Sequence, residues 1–169
     1  MKHFFRKYQW NNWLYNEKIF WPKVIWFACI IMLLALLDGT TKFIWLVPPF
    51  SATLTILILL PKSSIAQPIP VIVGSTLAAV FGTIVSLMIH GPVYAALVAT
   101  IMVIVLTALR IYHPPAIALS MYPLLLHTGI FFPVIVVFPF TFIAVVTCYM
   151  MSSMFKSWGK YPLPIHKIQ

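Results

Sequence analysis

HPPAIALSMYPLLLH, residues 113–127, reads as an apolar helix that opens on two consecutive prolines behind a histidine, and it is too short to cross a bilayer. The chain uses the device once more, in VPPFSATLTILILLP, residues 47–61. Proline suits the first turn of a helix, where its missing N–H would lack a partner anyway, and it disfavours helix for the residue before it. Both runs are therefore expected to start sharply, at Pro48 and at Pro114. If those starts lie below a membrane surface, the free N–H groups and positive dipole ends of two oppositely entering helices converge near the midplane and attract a small anion. If they lie at the surface, each proline pair only begins an ordinary helix, and the sequence leaves both readings open.

The rest of the chain decides that a membrane is involved. Of its 169 residues, 62% are apolar and 8% charged, with a mean hydropathy of +1.01; soluble domains hold roughly 45 to 50% apolar residues. An all-α, polytopic membrane protein is expected, with a single transmembrane domain at 22–151, an interfacial N-terminal segment at 1–21 and a basic cytoplasmic tail at 152–169. The first segment has no short apolar core ending in a cleavage site, so no removable signal peptide is expected. Its aromatic and basic residues suit a helix lying on the cytoplasmic face.

By the length needed to cross hydrocarbon, six segments are read: Pro22 to Leu37, Phe43 to Leu60, Ile69 to Ile89, Val93 to Leu109, Pro114 to Leu126 and Gly129 to Met151. The charges test that count. Lys2, Arg6, Lys7, Lys18 and Lys23 precede the first apolar run, Lys156, Lys160 and Lys167 follow the last, and Lys62 and Arg110 fall in the second and fourth connections. The other connections hold only Lys42, offset by Asp38 at i, i+4 spacing, and the histidines His90 and His127. Basic residues mark the cytoplasmic side, where they also meet anionic lipid, so both termini are placed there, at a cell inner membrane. The net charge of +9 thus reports topology, and no nucleic-acid partner is expected. Each proline-led segment is the middle one of three, which gives an inverted three-plus-three repeat of the kind found in transporters.

The stretch His113-Pro114-Pro115-Ala116, together with Pro49-Phe50-Ser51-Ala52 and the loop Ser63-Ser64-Ile65-Ala66-Gln67-Pro68 leading to Gly74, resembles the HPP family of integral membrane proteins over residues 22–151. The chain departs from the family pattern at Ser51 and Ile117, where glycine is usual, and at Ile69, where a basic residue is usual. What the resemblance implies is transport of nitrite, described for plastid and cyanobacterial relatives. A small monovalent anion also fits converging helix starts.

The candidate substrate-binding residues are His113, Pro114, Pro115, Arg110, Pro48, Pro49, Ser51 and Gln67. His113, an ionisable group beside a discontinuous membrane helix, leads them, since it can cap the next helix or carry a proton. Arg110 can hold an oxyanion in a bidentate way or anchor the fourth segment at the interface. Ser51, Thr53, Thr55 and Gln67 offer uncharged hydrogen-bonding groups; hydroxyls readily bond helix carbonyls, so Ser51 and Gln67 are retained. Gly74, Ala78, Gly82 and Ser86 form a stripe for close packing, within the chain or between copies in a homo-oligomer. Cys29 and Cys148 lack any metal or redox pattern, and no cofactor is expected. With two acidic residues and no nucleophile motif, catalysis is not expected either. The competing function is an accessory or structural subunit of a membrane complex, in which the polar groups near the prolines would face partner helices.

Overall fold

Proline sets where every long helical stretch begins. In the computed structural model, which describes residues 20–164, these are α1 (Trp21–Thr40), α2 (Pro48–Leu59), α3 (Ser75–Ser86), α4 (Pro92–Ala108), α5 (Pro114–Leu126) and α6 (Phe138–Met154). A π-helical turn at Pro70–Gly74 leads into α3 and another at Phe132–Val137 leads into α6. Pro22, Pro48, Pro70, Pro92, Pro114 and Pro133 each stand in the first turn of their stretch. No strand occurs among the described residues. The interfacial helix expected at 1–21 falls almost wholly outside them.

The expected boundaries hold for α4 and α5 to within a residue and need correction elsewhere. The second segment is helical only from Pro48, not from Phe43, because the proline pair keeps Val47 extended. The first runs on to Thr40 and carries Asp38 inside its last turn. That carboxylate does not pair with Lys42, which lies past the helix end; its Oδ1 accepts from the amides of Trp45 at 2.7 Å and Leu46 at 3.1 Å. The π turn before α6 has an identifiable cause. Pro139 brings no N–H and its ring crowds the carbonyl four residues back, and a widened turn relieves both.

Contacts between connections sort them into two sets. At one end, His113 in the fourth connection reaches Ile65 in the second, and the Lys23 ammonium at the start of α1 donates to the Ile58 carbonyl near the end of α2 at 3.0 Å. At the other, the Gly91 amide donates to Leu124 at 3.1 Å, and the His90 and His127 rings stack with centroids 4.0 Å apart. Successive helices thus run in alternate directions between the two ends.

α3 and α5 form the closest helix pair. A methyl added at Gly74 would sit 2.5 Å from the Ile111 carbonyl oxygen, and one at Gly82 would collide with the backbone of Ser120. Glycine at these two positions lets α3 lie directly on α5. The small-residue stripe is therefore occupied inside the chain, and a homo-oligomer would have to use another face. α1 is the loosest element, packed through Trp26, Ile30 and Leu34 while Met32, Leu33 and Leu36 face outward.

The chain after α6 is not a free tail. Ser152 Oγ donates to the Gly159 carbonyl and accepts from the Tyr161 amide, and Trp158 and Tyr161 are buried. Of the segment expected to extend into the cytoplasm from residue 152, the described part folds back on the core instead. A Trp and a Tyr in a short amphipathic stretch have apolar bodies to bury, and this outweighs the solvation of Lys156 and Lys160.

Candidate functional site

α6 with its π turn, Phe132–Met154, is 23 residues long, about 34 Å at 1.5 Å per residue. It serves as a ruler for the proline-led helices. Phe50 in the first turn of α2 stacks on Phe140 with ring centroids 3.7 Å apart, and Phe140 lies eight residues, about 12 Å, below the end of that ruler. The start of α2 is therefore about 9 Å in. Thr53, five residues further along, meets His113 at the start of α5, which puts that start about 17 Å in, half-way along α6, to within a turn. α2 has 12 residues and α5 has 13, about 18 and 20 Å, and they run antiparallel. Neither can span alone.

The starts do not present the free N–H groups expected of them. The two prolines bring none, the Phe50 amide bonds the Val47 carbonyl at 2.8 Å, and the Ala116 amide bonds the His113 carbonyl at 2.9 Å. The dipole remains at each helix end while the first three positions offer no donor. A positive end of this kind attracts an anion without gripping it.

His113 caps nothing with its side chain. It is fully buried, and its ring joins three parts of the fold. Nδ1 lies 2.8 Å from the Ile65 carbonyl oxygen and Nε2 lies 3.0 Å from Thr53 Oγ1, while Thr53 Oγ1 is also 3.1 Å from the Pro49 carbonyl oxygen. Protons can be counted here. A carbonyl only accepts, so Nδ1 carries a proton. In the neutral ring Nε2 is an acceptor, and the single Thr53 proton must go to it rather than to Pro49. In the charged ring Nε2–H donates to Thr53, whose proton is then released to Pro49. The Thr53 hydroxyl is thus a two-position rotor that reads the charge of His113.

The remaining candidates fall in different places. Pro49 and Pro115 are buried beside this network, Pro48 is exposed and Pro114 half-buried. Ser51 Oγ donates to the Pro48 carbonyl at 2.7 Å and stays outside the network. Gln67 uses its whole amide as a staple: Nε2 donates to the Pro61 and Ser63 carbonyls at 3.0 and 2.8 Å, and Oε1 accepts from the Leu163 amide at 2.9 Å. Arg110 is exposed just past α4 in a left-handed conformation, φ 57°. With the Ile111 amide on the Leu106 carbonyl and the Arg110 amide on Thr107, it closes the helix in a position that favours glycine.

Two contributors escaped the sequence reading. Thr53 is one hydroxyl among several on its helix, and Ile65 acts through its backbone, which no side-chain pattern reveals. A third feature was legible in principle. The tetrapeptide Pro-Val-Ile-Val occurs at 70–73 and again at 133–136, in the π turns that lead into α3 and α6. Near the network, Ser75 is fully buried and its hydroxyl has no partner.

Among known proteins, the family model described as "HPP, transmembrane region" matches residues 14–162, nearly the whole chain. No curated protein and no solved structure matches it.

Proposed function

The chain belongs to the HPP transmembrane family, and from that premise we propose that it carries a small monovalent anion, nitrite, across a cell inner membrane past the starts of α2 and α5. The observation that carries the reading is the depth and burial of His113, which ties the start of one proline-led helix to the second turn of the other. Submerged helix starts stripped of donors suit passage, since a conducted ion must be drawn in but held weakly. His113 with Thr53 is the group placed to couple that passage to a proton.

The architecture supports an inverted repeat. Each half has a long helix, a Pro-Pro helix and a Pro-Val-Ile-Val π turn leading into a third helix. The contacts come in matching kinds: α3 with α5 and α6 with α2, α4 with α5 and α1 with α2. Three crossings per half invert the second relative to the first. Lys23, Lys62, Arg110, Lys156 and Lys160 then face the cytoplasm. The outward face of α1, where Ala28, Cys29, Met32, Leu33 and Leu36 lie exposed, favours the second reading, an accessory subunit docked through α1.

Liposomes holding the purified protein, assayed with nitrite, nitrate, formate and chloride, separate the two. Nitrite flux that His113→Ala abolishes supports transport at this site. Folded, inserted protein that passes none of the four anions excludes it and leaves the subunit reading.

A further inference from the structure

The end of the molecule that carries Lys23 holds a second cluster of polar groups, which shares no hydrogen bond with His113. Trp26 and Trp158 meet edge to face with centroids 5.6 Å apart, and they and Tyr161 are 7%, 1% and 3% exposed. Trp26 Nε1 and the Tyr161 hydroxyl have no hydrogen-bond partner among the described residues. Trp158 Nε1 is paired with the Cys148 thiol, which also lies beside Tyr161, and sulfur is a weak acceptor that leaves the indole N–H under-satisfied. Burial pushes the Tyr161 phenol above its ordinary range, so it keeps its proton and can donate. Lys23, one turn before Trp26 on the same face of α1, is half-buried, and among the described residues a single carbonyl, that of Ile58, accepts from it. Asp38, the one acidic side chain among the described residues, is at the other end of α1.

Folded proteins rarely leave buried donors unpaired, and a group of them in one place calls for an acceptor that the described residues do not supply. A phosphate presents several strong acceptor oxygens to several donors at once, and lysine is a common partner for it. We infer that Lys23, Trp26, Trp158 and Tyr161 form a binding site for a phosphate-bearing anion, filled by the headgroup of an anionic phospholipid. Lipid is the source the position favours, because tryptophan and basic residues gather at the headgroup level of the inner leaflet. The C-terminal turn, held down by Ser152 and Gln67, closes the site by carrying Trp158 and Tyr161 onto α1. The inference is independent of what the protein transports.

The test is thermal unfolding and native mass spectrometry of the full chain in micelles, titrated with phosphatidylglycerol, phosphatidylcholine or inorganic phosphate. Phosphatidylglycerol should stabilise the protein and remain bound where phosphatidylcholine does not. Lys23→Gln should weaken that binding roughly tenfold, as loss of a hydrogen bond to a charged group does, and Tyr161→Phe about fivefold. In lipid-free micelles Tyr161→Phe should melt no lower than the parent, because it removes a hydroxyl that has no partner. Equal response to the two lipids, unchanged affinity in both variants, or a Tyr161→Phe protein that melts lower without lipid would each overturn the inference. Inorganic phosphate alone matching phosphatidylglycerol keeps the phosphate site and reassigns its source to a soluble ion.

Discussion

Thr53→Val is the sharpest probe of the His113 network, because it keeps the shape of the side chain and removes one hydroxyl. That hydroxyl is fully buried and lies 3.0 Å from His113 Nε2. Its loss forfeits a net stabilisation of about 1 kcal/mol and leaves a buried ring nitrogen unpaired, for a total of about 2 kcal/mol. His113→Leu costs more, about 3 kcal/mol, since it also strips the Ile65 carbonyl of its donor. In the double variant removing Thr53 costs only its 3.1 Å bond to the Pro49 carbonyl, at most about 1 kcal/mol, because no ring nitrogen remains for it to satisfy. Equilibrium unfolding in mixed micelles should therefore give a coupling energy of about 1 to 2 kcal/mol, the double variant being that much more stable than the sum of the singles implies. Additivity within about 0.5 kcal/mol would refute the network and leave Thr53 as an ordinary hydroxyl on its own helix carbonyl.

Three further perturbations test separate parts of the fold. Gly82→Ala brings a methyl against the Ser120 backbone and should destabilise by about 1 to 3 kcal/mol, whereas Gly39→Ala, with nothing within 4 Å, should be neutral or stabilising in the same unfolding assay. Arg110→Gly relieves a left-handed residue and should stabilise by about 1 kcal/mol; if nitrite flux in liposomes falls nonetheless, the guanidinium serves the ion rather than the fold. Gln67→Leu leaves two carbonyls and the Leu163 amide without their partner. Limited proteolysis should then cut between residues 155 and 163 about tenfold faster than in the parent.

Helix starts were legible in the sequence and helix depths were not. Proline fixes its own φ and its predecessor's conformation, so Pro48 and Pro114 announce their helices locally. Depth depends on long-range packing: the Phe50–Phe140 stack places the start of α2 against α6, and the Thr53–His113 contact places the start of α5 against α2. His113 stood out as an ionisable group in apolar surroundings, but its partners lie 48 and 60 residues away. Ile65 contributes a carbonyl that every residue owns. Gln67 misled for a related reason, since an amide near the site in sequence was consumed in holding its own loop and the C-terminal turn. The expected free amides failed on simple counting, because a second proline removes a second donor.

The two helix starts are alike in donors but unequal in charge, and under the proposed transport function that inequality makes a prediction. Ahead of α2, the Asp38 carboxylate already occupies the amides of Trp45 and Leu46, so the positive end of α2 has a negative partner built in. Ahead of α5 stands His113, which brings no negative charge and contributes a positive one when protonated. An anion passing as proposed would therefore be drawn to α5 and repelled from the mouth of α2 by Asp38. Protonation of His113 deepens that preference while turning the Thr53 hydroxyl back to Pro49. Asp38→Asn should accordingly weaken discrimination between the two starts and raise anion occupancy near α2, whereas His113→Leu should remove the dependence of flux on pH. A flux that stays pH-dependent in His113→Leu would separate proton coupling from this residue, even if the path past the helix starts is correct.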